Sequence, residues 1–136
     1  MYTWLIRRLI VAALLLGSTV AFAADAPIRS REGVIYSVKD WKELYHVYRS
    51  LGKKADGVVA EAFIDKISSL LDAQWDQLPQ LHRLAKRDKS FLVFILRQLN
   101  EAVPADTAKR IKDHADNYCP AGVSDLCGAI SKQLAS

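Results

Sequence analysis

The chain has 136 residues, 51% of them hydrophobic and 25% charged, with a formal net charge of +4. Arg7 and Arg8 supply two of those four excess charges and sit in an N-terminal export-like segment, so the remainder is +2 and makes no case for a nucleic-acid partner. The two cysteines, Cys119 and Cys127, have C-x7-C spacing, which is neither a zinc nor a haem pattern nor a CxxC redox motif.

Residues 1–23 read as a cleavable signal peptide. Arg7 and Arg8 precede the unbroken apolar run Leu9–Leu16, Gly17-Ser18 loosens the helix, and Ala21-Phe22-Ala23 offers small residues where a signal peptidase reads. The apolar stretch is shorter than the roughly 20 residues a spanning helix needs. Cleavage is therefore expected before Ala24, with a periplasmic or secreted product of 113 residues out of the 136. In an oxidising compartment the two cysteines are expected to form a disulfide.

Residues 24–36, with Pro27, Gly33 and mixed charges, show no period and read as an extended lead-in. From 37 to 136 the apolar residues follow a helical period, and no segment alternates as a strand should. A first helix is predicted from Ser37, with Asp40 in capping-box position, along Val38, Trp41, Leu44, Tyr45, Val47, Tyr48 and Leu51 to a stop at Gly52. A second runs from about Asp56 to Gln74, burying Val59, Phe63, Ile67, Leu70 and Leu71, with Glu61, Asp65, Ser68 and Asp72 on the wet side. Pro79 opens a short third helix to Lys86, and Asp88 caps a fourth whose apolar run Phe91–Leu96 leaves no broad wet face and places it centrally in the core. Asp106 or Thr107 caps a fifth, with Ala108, Ile111, Ala115 and Tyr118 on its apolar side, and Ser124 caps a last helix carrying Leu126, Cys127, Ile130 and Leu134. The expected fold is all-α: a compact single-domain bundle of five or six short helices, the last two joined by a disulfide-closed turn between Cys119 and Cys127.

Chemistry-bearing patterns are sparse. His46, His82 and His114 have no histidine one helical turn away, so no metal site or cofactor is expected. The acidic strip of the second helix faces water, where nothing perturbs its ionisation. There is no GxSxG or SxxK, and the six glycines are scattered singly rather than gathered into a phosphate loop. Arg83, Lys86 and Arg87 share one helical face, and with Lys89 they make the densest single-sign patch after the signal. Trp41 and Tyr45 lie on one side of the first helix and are residue types favoured as interface anchors.

These features predict a small exported helical binding protein without catalytic activity: an inhibitor, an immunity-type antidote or an adaptor acting on a protein partner in the cell envelope. Its expected binding residues are Arg83, Lys86, Arg87, Lys89, Trp41 and Tyr45, with peripheral contact to an anionic envelope surface as a further expectation. The alternative is a small exported all-helical enzyme with Arg83, Arg97 and Glu61 converging between helices.

Overall fold

A computed structural model describes residues 30–136. The expected signal peptide and the first part of the lead-in lie outside them. Among the described residues 79% are helical and none is in a strand. The seven helices are α1 (Arg31–Tyr36), α2 (Trp41–Leu51), α3 (Gly57–Ala73), α4 (Leu78–Arg87), α5 (Lys89–Gln98), α6 (Ala105–Asn117) and α7 (Ser124–Leu134), with short 3₁₀ turns over Gly52–Lys54 and Trp75–Gln77.

All six predicted helices are present, and α1 is an addition. It corrects the expected extended lead-in: Ser30 Oγ accepts the Gly33 N–H at 3.1 Å to cap the helix, and Ile35 is fully buried. Six residues are too few to display a period, so packing on α3 rather than local pattern stabilises this helix. The Tyr36 hydroxyl also donates to Asp65 of α3 at 3.1 Å.

The start of α2 is displaced from the predicted one. Ser37 closes α1, and the cap of α2 is Asp40, whose carboxylate accepts the Glu43 N–H at 2.8 Å while Glu43 accepts the Lys39 N–H at 2.8 Å. The corner between α1 and α2 is held by long side chains from elsewhere. Lys66 Nζ donates to the Val38 carbonyl at 3.0 Å, and Gln80 Oε1 accepts the Trp41 N–H at 3.0 Å. Gly52 ends α2, but in right-handed helical geometry (φ −61°). Its lack of a side chain serves close packing, since a methyl there would overlap the Tyr48 ring.

The core gathers Ile35, Trp41, Leu44, Phe63, Ile67, Leu71, Leu81, Phe91, Ile95, Ile111 and Ile130 into one cluster around α3. Tyr45 and Tyr48 of α2 pack on each other and on Phe91 of α5, Tyr48 also meets Phe94, and Phe94 meets Phe63 of α3, with these ring centroids 4.8–6.2 Å apart. Three expectations about burial are corrected. Ser68 is buried, not wet, and satisfies its hydroxyl on the Ile64 and Asp65 carbonyls of its own helix. Tyr118 is 65% exposed, because α6 ends before it and turns it out. Helix α5 is not wrapped on all sides: Phe91 and Ile95 are buried, but Val93 is 48% exposed.

At the C-terminal end, α6 and α7 pack closely on each other, and the Cys119–Cys127 disulfide closes the turn between them. Gly122, at φ +82°, makes the reversal inside that loop, a conformation that favours glycine. No helix among the described residues is long and apolar enough to cross a membrane.

Candidate functional site

Helix α4 positions three of the six predicted binding residues, Arg83, Lys86 and Arg87. Pro79 lies in its first turn, and Leu78, Leu81 and Ala85 face the core. Lys86 and Arg87 fall in the last turn, where cations complement the helix dipole. Asp88 then serves both helices. It ends α4 and caps α5, accepting the N–H groups of Ser90 at 3.0 Å and Phe91 at 3.1 Å. The Ser90 hydroxyl, these N–H groups and the Tyr45 hydroxyl, 3.1 Å away, hold the Asp88 carboxyl below its ordinary pKa, against the opposing effect of burial. Tyr45 is shifted up, by burial first and then by Asp88.

This corner sets α5 beside α4. Helix α7 packs against α6 and α5 but scarcely meets α4. A groove of about 360 Å³ remains between α4, α5 and α7. Ala85, Leu92, Val93, Leu126 and Ala129 supply its apolar walls, and Lys86 and Lys89 stand at its rim. Its two sides are tied at one end by His82 Nε2, 2.9 Å from Asp125 Oδ1, and by Lys86 Nζ, 3.6 Å from Asp125 Oδ2. Burial raises the Asp125 pKa, but the Leu126 N–H, His82 and Lys86 outweigh it, and the net shift is downward.

The structure divides the predicted basic patch. Lys86 and Lys89 belong to the groove, whereas Arg83 and Arg87 are exposed on another side of α4 and do not line it. Trp41 is fully buried and presents no surface to a partner, which corrects its expected role as an anchor. Trp41 lies on the same stripe of α2 as the buried Leu44 and Tyr48, so its ring packs as core. Tyr45 is half-buried against Phe91, with its hydroxyl engaged by Asp88. Arg83, Arg97 and Glu61 are all exposed, and among the described residues no hydrogen bond or ion pair joins them.

Sequence reasoning missed the apolar walls of the groove, Val93 among them, and its polar pair His82 and Asp125. Val93 was legible. Lys89, Val93 and Arg97 follow one another at single-turn spacing, so the stripe that carries two charges to water must carry the valine with them. The His82–Asp125 contact joins residues 43 apart and left no local signal.

The histidines are separated in space as well as in sequence. His46 is exposed on α2, His82 is bound to Asp125, and His114 packs between Trp75 and Tyr118. Among the described residues no group of three His, Cys, Asp or Glu side chains is placed to hold a metal ion. What the groove can do chemically is accept an apolar side chain while offering ammonium groups to an anion beside it. Compared with protein-family models, with curated proteins and with solved structures, the chain matches none.

Proposed function

We propose that the chain is an exported, non-catalytic binding protein of the cell envelope, an inhibitor, immunity-type or adaptor protein that holds a partner protein in the α4–α5–α7 groove. The observation that carries this reading is the make-up of that groove: apolar walls, a valine left 48% exposed, and Lys86 and Lys89 at the rim. Apolar surface held in water is unfavourable, and a partner's apolar side chain seated there relieves it. Interfaces concentrate their affinity in such buried anchors and use the charged rim for selection. Lys86 is already paired with Asp125, and Lys89 offers the ammonium group that selects a carboxylate, so the partner segment carries an apolar anchor with Asp or Glu beside it. Export is supported by the signal-like residues 1–23 and by the Cys119–Cys127 disulfide, which suits an oxidising compartment.

A photo-crosslinking amino acid placed at position 93, in cells expressing the full chain, tests the proposal. It is expected to capture one protein. That partner, once purified, should bind Lys89→Glu at least tenfold more weakly, and should regain affinity when its own contacting carboxylate is changed to lysine. Crosslinks spread over many proteins, or a partner indifferent to Lys89→Glu, would overturn the proposal.

A further inference from the structure

Helices α2 and α4 lie side by side and run in the same sense. Trp41 meets Gln80 near the start of α4, Tyr45 meets Asp88 at its end, and the Tyr48 hydroxyl then lies 3.0 Å from that of Ser90 in the first turn of α5. The contacts define which stripe of each helix borders the seam. On α2, Lys42 and Arg49 stand one turn before and one turn after Tyr45, so they flank it along the seam. The Arg49 charge is felt by the Tyr45 phenol, as that placement requires. On α4, Arg83 and Arg87 follow Gln80 at one and two turns and border the seam from the other side.

All four cations are exposed, and among the described residues none of them has an ion-pair partner. The Asp88 carboxylate, which meets Tyr45 at the seam, is occupied by the Tyr45 and Ser90 hydroxyls and by backbone N–H groups rather than by an arginine. Charge is segregated well beyond these four. Residues 41–54 carry Lys42, Arg49, Lys53 and Lys54 against Glu43, and residues 78–89 carry Arg83 and Arg87 beside the seam and Lys86 and Lys89 at the groove against Asp88, a balance of +3 in each stretch. The described chain is +2 in all, so everything outside these two stretches sums to −4.

We infer that the α2–α4 seam is a docking surface for the phosphate headgroups of an anionic membrane leaflet. Three of the four cations are arginines, whose planar forks match phosphate oxygens in pairs. They are spread over two neighbouring helices, whose axes in such packing lie about 8–10 Å apart. Lys42 and Arg49 also stand two turns, about 10 Å, apart along α2, so the array suits several headgroups side by side. Basic residues gathered on one face draw a protein to such a surface without insertion. The seam is distinct from the groove, although both use α4: His82 and Lys86 line the groove, and Arg83 and Arg87 do not.

Co-sedimentation of protein purified from cells expressing the full chain tests the inference. Vesicles of phosphatidylcholine alone are compared with vesicles containing phosphatidylglycerol. Binding at low salt should be at least tenfold stronger to the anionic vesicles and should be largely lost in 0.5 M salt, roughly where screening shortens to a few ångströms. Arg49→Glu/Arg83→Glu/Arg87→Glu should abolish it, Arg49→Gln/Arg83→Gln/Arg87→Gln should weaken it, and circular dichroism should show both variants folded. Val93→Asp, in the groove, should bind vesicles as the unaltered chain does. Equal binding to neutral vesicles, or retention by the folded triple variants, would overturn the inference. Displacement by millimolar inorganic phosphate would replace it with a single-anion site, and binding to polyglutamate but not to vesicles would replace it with an acidic protein face.

Discussion

Gly52 and Gly128 are both helical glycines, yet their surroundings are opposite. Gly52 lies under the Tyr48 ring, which is itself fixed by stacking on Tyr45, by Phe91 and Phe94, and by the Ser90 hydroxyl. Gly128, inside α7, has open space where a Cβ would go. Helix propensity alone favours Ala over Gly by about 1 kcal/mol at either site, whereas forcing a methyl into packed core costs about 1–3 kcal/mol. Gly52→Ala should therefore lower stability by about 1 kcal/mol or more, and Gly128→Ala should raise it by about 0.5–1 kcal/mol. Paired urea titrations read both signs; stabilisation by both substitutions would show that the Tyr48 contact does not constrain Gly52. The sequence marked Gly52 as a helix stop, but its reason for being glycine depends on the position of a ring. Trp41 and Ser68 teach the same lesson. One side of a helix is visible in sequence, but whether its edge is covered depends on the neighbour laid over it.

At the scale of elements, local signals were good guides where the period was strong and poorer ones at the caps: Asp88 caps α5 as expected, but Pro104 precedes α6 and Val123 precedes α7, with Asp106, Thr107 and Ser124 inside those helices. Asp56 and Asp88 precede α3 and α5 as read, and the apolar stripe of α3 is the one that is buried. Local signals failed for α1, too short to show a period, and for the outer side of α5, where apolar content was taken for burial. The disulfide belongs to this scale as well. It closes a loop between positions eight apart, at the turn joining two helices that pack extensively. Loop closure of that length is worth about 2–3 kcal/mol in the chain-entropy model. Urea unfolding in fully reducing buffer should show that loss relative to oxidising buffer. An unchanged midpoint would mean that α6–α7 packing holds the corner without the bond.

Across the whole molecule, four aspartates titrate below their ordinary range in the folded state, each for a local reason. Asp72 is held by the Arg110 guanidinium at 2.8 Å, Asp88 by Ser90 and its cap N–H groups, Asp116 by Lys112 and Ser131, and Asp125 by the Leu126 N–H, His82 and Lys86. A carboxyl whose pKa is depressed on folding binds fewer protons folded than unfolded, so stability rises with pH through that interval and is lost as pH falls through the folded pKa. Thermal stability should hold from neutrality to about pH 5 and fall steeply below about pH 4. Asp72→Asn, which removes the least exposed of the paired carboxylates, should flatten part of that slope; an unchanged acid limb would show that Asp72 carries none of it.

Sequence by itself determined the helical class, the order of six helices, the buried stripe of α3 and the pairing of Cys119 with Cys127. The helices and their stripe rest on interactions within a turn or two, where residue type and spacing are enough, and the pairing follows from a chain that has two cysteines. Tertiary structure decided what lies at the surface. It buried Trp41, left Val93 in water, separated Lys86 and Lys89 from Arg83 and Arg87, and brought His82 to Asp125 across 43 residues. Those outcomes depend on which helix lies against which, and contact between distant segments leaves no periodic trace in the chain.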